Sequence, residues 1–62
     1  MNWKMTKEDG CTIYRSQSYE IVKLYESFDD QKWQLNNNGY FVTTGKTAKE
    51  LKEYVEQHKR FN

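Results

Sequence analysis

The sequence predicts an α+β fold: an antiparallel meander of four to five strands followed by one C-terminal helix, over about residues 47–60, packed on one face of the sheet. Three observations carry it. Short runs of β-branched and aromatic residues fill the chain from Trp3 to Thr44. Turn signals at Gly10 and at Asn38-Gly39 separate those runs. Past Thr47 the apolar spacing changes to that of a helix.

The first two runs, Trp3–Lys7 and Cys11–Arg15, flank Glu8-Asp9-Gly10 and read as a hairpin. A three-residue loop with Gly10 in the left-handed region would set Met5 opposite Ile13 and gather Trp3, Met5, Cys11 and Ile13 on one face. A two-residue loop would give the other parity, and the three-residue version is preferred because it gathers those side chains. Tyr19–Phe28 (YEIVKLYESF), bounded by Ser-Gln-Ser and Asp29-Asp30, is the expected central strand. Ile21 and Val22 fall on opposite faces of it, as do Leu24 and Tyr25, so both faces require cover.

The third pair is KWQL and YFVTT around NNNG, an Asn-Gly hairpin signal. Pairing parity puts Trp33, Leu35, Tyr40 and Val42 on one face as a core patch, with Phe41 pointing the other way. The Gly45-Lys46-Thr47 that follows resembles the end of a phosphate-binding loop. That loop needs a glycine five positions upstream, where Tyr40 stands, and a curled rather than an extended approach, so it is excluded. Thr47 with Glu50 instead forms a Thr-x-x-Glu capping box, with Gly45 as the turn out of the strand. Ala48, Leu51, Val55 and His58, with Tyr54 beside them, make the stripe that faces the sheet. Lys49, Glu50, Lys52, Glu53, Glu56 and Lys59 make the solvated side.

A chain of 62 residues is one domain and buries only about 60% of the surface its unfolded form exposes. A catalytic cleft would take volume from a core with little to spare, so the expectation is a binding module and not an enzyme. One cysteine, Cys11, and one histidine, His58, can make neither an internal disulfide nor a zinc site, and no cofactor is implied. His58 reads as a partly buried residue at the rim of the core, Cys11 as a small buried apolar residue, and Asp29-Asp30 as a turn. No stretch is long and apolar enough for a membrane span, and MNWKMTKEDG lacks the apolar segment of a secretory signal, so a cytoplasmic location is expected. The formal net charge of +1 lacks the strong basicity of a dedicated nucleic-acid binder.

Five Tyr, three Phe and two Trp exceed what one helix on one sheet face can cover. With Trp33, Leu35, Tyr40 and Val42 assigned to the core, Tyr14, Tyr19, Tyr25 and Phe41 remain, and Arg15 and Lys23 share their strands. These six are the candidate partner-binding residues. A protein partner is favoured, and stacking of nucleic-acid bases on the tyrosines is the alternative. The face the helix leaves open has two possible covers: a symmetric homodimer, or the N-terminal hairpin folding across it with Trp3 and Met5 to close a small barrel.

Residues 32–58, with a Trp-x-Leu strand, an Asn-Gly turn and a Thr-capped helix, resemble a recurrent hairpin-then-helix unit of small proteins from Gram-positive bacteria and their phages. More distantly they are similar to AP2-type and integrase arm-binding DNA-binding domains. The second resemblance implies a sheet placed in the major groove. Here the last two strands carry only Lys32 and Lys46, at their ends, and no base-contacting residue is carried over. The expected function is a small non-enzymatic interaction module, a phage or mobile-element accessory factor that binds and modulates another protein.

Overall fold

The computed structural model describes residues 2–24 and 32–58. Strands β1 (Lys4–Glu8), β2 (Cys11–Ser16), β3 (Tyr19–Lys23), β4 (Trp33–Asn37) and β5 (Tyr40–Gly45) form one antiparallel sheet in chain order, and α1 (Ala48–His58) follows. This is the predicted meander, with β3 in the middle. The Leu24 N–H donates to the Lys32 carbonyl at 2.7 Å, carrying the β3–β4 pairing one step beyond the strand. The predicted continuation through Tyr25 to Phe28, the Asp29-Asp30 turn and the helix end near Arg60 lie outside the described residues.

The first hairpin corrects the predicted loop. Glu8 stands opposite Cys11, leaving two turn residues, Asp9 and Gly10, with φ of 53° and 80°. Two successive left-handed residues make the turn whose twist matches that of the strands, and Asp tolerates the conformation that Gly adopts freely. Parity therefore reverses. Met5 faces Tyr14 and Thr6 faces Ile13, which puts Trp3 and Met5 on the face opposite Cys11 and Ile13. Because β1 is an edge strand of an open sheet, the hairpin does not fold across to close a barrel.

β2 and β3 are joined at Gln17-Ser18, with Ser16 opposite Tyr19. β4 and β5 are joined at Asn38-Gly39, with φ of 54° and 83°. The two turns meet at one end of the sheet, where the Asn38 N–H donates to the Ser18 carbonyl at 2.9 Å and the Ser18 hydroxyl to Asn37 Oδ1 at 2.7 Å.

The core is made of Ile21 and Leu35, neighbours across β3 and β4, under Leu51 and Val55 of the helix, and all four are buried. Trp3, Tyr14, Tyr19, Trp33, Ala48 and Tyr54 pack around them. Val22, the residue after Ile21, takes the other face and lies between Ile13 and Gln34, so the central strand is apolar on both sides, as its sequence predicts.

The helix rests on β3, β4 and β5. Gly45 is what lets it come so close: a Cβ there would lie 3.0 Å from the buried Leu51 side chain, tighter than an ordinary contact. The predicted cap is present. The Glu50 N–H donates to Thr47 Oγ1 at 3.1 Å, and Glu50 Oε2 accepts the N–H of Lys46 at 3.2 Å, one residue ahead of the cap N–H that the capping box was expected to use. At the other end, His58 is exposed rather than a partly buried rim residue. Its Nδ1 donates to the Tyr54 carbonyl at 2.8 Å and its ring stacks on Tyr54 with centroids 3.8 Å apart.

Candidate interaction surface

The six predicted partner-binding residues do not share a face. Tyr14 stands opposite Ile21, and Ile21 opposite Leu35, so Tyr14, Tyr19 and Lys23 belong to the face under the helix. Arg15 and Phe41 lie on the reverse face, in a row that runs Lys4, Arg15, Glu20, Asn36, Phe41 across the five strands. Tyr25 lies outside the described residues. Tyr14 and Tyr19, left over from the expected core, are part of the real one.

On the helix side, the rings of Tyr14 and Trp33 meet at 5.8 Å between centroids and tilt by 47°. Lys52 reaches down from the helix to put Nζ 4.0 Å from the Tyr14 centroid, and Lys23 Nζ is 5.8 Å from that of Trp33. Both distances lie within the range of cation–π attraction. The reverse face is polar around its apolar centre. Arg15 donates to Glu8 at 2.7 Å and to Glu20 at 2.9 Å, and these bonds, Glu8's first, raise its pKa further above the ordinary arginine value. Gln34 Nε2 donates to Asn36 Oδ1 at 2.9 Å. Cys11 is half-buried there, opposite Glu8. Ile13 is buried, and the Oγ1 of its neighbour Thr6 is buried with no hydrogen-bond partner.

Among the described residues, Met5 is exposed alone on β1, and the other exposed large apolar residues lie together at the start of β5. Tyr40 is 78% exposed, Phe41 64% and Val42 36%. The expected placement of Tyr40 and Val42 in the core is therefore corrected: Tyr40 keeps its pairing opposite Asn37 but is exposed at the turn end of the strand, and Val42 is displaced by a β-bulge. Phe41 stands opposite Asn36 but Thr43 opposite Leu35, so β5 carries one extra residue, Val42. The bulge shifts Thr43 and Gly45 into register beneath the helix in place of Val42, which joins Tyr40 and Phe41 as exposed residues at the outer corner of the sheet. One signal for this was in the sequence: YFV has three consecutive apolar residues, and a strand can turn only alternate ones inward.

Beside this corner, β5 and α1 enclose an open groove of about 300 Å³. Thr43 and Thr44 form one wall, while Glu50, Glu53, Tyr54 and Gln57 form the other with buried Leu51 behind them. Among the described residues, no group of three or more His, Cys, Asp or Glu side chains is placed to hold a metal ion, and no helix is long and apolar enough to cross a membrane. Cys11 and His58 belong to different parts of the molecule, the reverse face of the sheet and the end of the helix. Comparison with protein-family models, curated proteins and solved structures finds no match to this chain.

Proposed function

We propose that this chain is a small non-enzymatic interaction module that binds another protein along the outer edge of its sheet, at β5. The observation that carries this reading is the run Tyr40-Phe41-Val42, three consecutive apolar side chains left exposed on an edge strand. Such a run invites aggregation unless a partner covers it. The other edge is protected by Lys4, Lys7 and Glu8, whereas β5 has no charged residue from Tyr40 to Gly45. Exposed aromatics at the centre of a contact supply most of the binding energy in protein interfaces.

Paired affinity capture tests the proposal. The native chain and a Phe41→Lys variant are used as baits in extract of the source cell, and a specific partner should be retained by the first and lost by the second. Equal retention by both would remove β5 from the contact.

A second reading, single-stranded nucleic acid, draws support from the Tyr14–Trp33 ring pair flanked by Lys52 and Lys23. It ranks lower because both rings are partly buried against the core and the two ammonium groups already stand over them. Affinity for mixed oligonucleotides that falls steeply with salt would favour it, and no binding at low salt would exclude it.

A further inference from the structure

We infer that the groove between β5 and α1 accepts an extended, basic segment of the partner protein, laid beside β5. This inference rests on the reading of β5 as the contact edge and adds the chemistry of what lies there. Thr43 and Thr44 follow directly on Tyr40–Val42, so the groove and the apolar corner lie along one strand and offer a continuous track to a peptide in β conformation.

Charge selects the occupant. At 100° per residue, Glu50, Glu53, Tyr54 and Gln57 fall on the helix flank that lines the groove, whereas Lys52 falls on the flank turned towards β2, where it reaches Tyr14, and Lys49 falls between the two on the solvent side. The two carboxylates in the groove are solvent-exposed, and no cation contributes to its lining. An extended peptide with Lys or Arg at alternate positions would direct those cations at Glu50 and Glu53 on the helix face while its other side chains, on the reverse face, cover Phe41.

The same charges argue against a second copy of this chain. Two molecules joined through β5 about a two-fold axis normal to the sheet would carry both helices on one face, with the Glu50 and Glu53 flanks turned towards each other. Like charges brought together in this way oppose the pairing.

The test uses two fluorescein-labelled heptapeptides, one alternating Val with Lys and one alternating Val with Glu. They are titrated into the intact chain and into an E50Q/E53Q variant, with backbone amide shifts recorded in parallel. Gln at position 50 can still accept the Lys46 N–H, so the cap survives, and circular dichroism confirms the fold. The expected result is that the Val-Lys peptide binds and shifts the amides of Thr43, Thr44 and Gln57, while the Val-Glu peptide does not. The double variant should weaken binding about tenfold at low salt. Binding without preference for the Lys peptide, no binding of either peptide, or unchanged affinity in E50Q/E53Q would each overturn the inference, as would a concentration-dependent doubling of mass that occupies β5. A cellular partner lost by Phe41→Lys but kept by E50Q/E53Q would leave the interaction module standing and overturn this assignment of the groove alone.

Discussion

The Thr47 hydroxyl satisfies an N–H that the first turn of the helix would otherwise leave open. Thr47→Ala should therefore lower unfolding free energy by about 1 kcal/mol, a large share for so small a domain. Lys46→Ala should change it little, because the exposed side chain is removed while the N–H bonded to Glu50 remains. Urea titration of the two variants checks the pair, and equal losses would refute the capping assignment. Gly45 is sensitive for a steric reason. Gly45→Ala sets a methyl 3.0 Å from the buried Leu51 side chain and should destabilise by about 1–2 kcal/mol, measured in the same way. Thr6 offers the opposite sign. Its buried, unpartnered hydroxyl costs stability, so the nearly isosteric Thr6→Val, facing Ile13, should raise the urea midpoint by the equivalent of about 1 kcal/mol. A lowered midpoint would show that the hydroxyl has a partner after all.

The strands and the helix could be read from local pattern, since each depends on neighbours in sequence: alternation for β2 to β4, the Asn-Gly turn, the Thr-x-x-Glu cap. Face assignments depended on single residues of register and were less accessible. At Glu8-Asp9-Gly10 the sequence allows loops of two or three residues, and a length difference of one reverses every side chain in the hairpin. The choice that grouped Trp3 with Ile13 ignored that Asp can take a left-handed conformation beside Gly, which the turn adopts. Gly10 has nothing within 4 Å of where a Cβ would stand, so Gly10→Ala carries only backbone strain and should cost about 1–2 kcal/mol by urea titration. A neutral outcome would contradict the two-residue turn. In β5 the three consecutive apolar residues of YFV could not all turn inward, but the sequence did not say which would stay out: Phe41 kept its place on the surface, while Tyr14 and Tyr19 exchanged places with Tyr40 and Val42 between core and surface.

Taken as a whole, the molecule is uneven in what it exposes. One sheet edge is charged, the other apolar beside an acidic groove, and the helix turns Lys52 towards β2 and Glu50 and Glu53 towards the groove. That division opposes pairing of like copies through β5, so light scattering should give a mass near 7.6 kDa through the micromolar range. A doubled mass that Phe41→Lys halves would mean that the chain covers β5 with itself. The excess of aromatic residues was visible in the sequence, whereas which of them stay exposed was not, because Tyr14 and Tyr19 pack against the core and one extra residue displaces Val42 from it. The most direct test of β5 as the contact is hydrogen exchange of the chain with and without its captured partner. The expected result is slowed exchange in peptides spanning Tyr40 to Gly45, with β1 unchanged. Protection confined to β1 and β2, with β5 exchanging as freely as in the isolated chain, would contradict it.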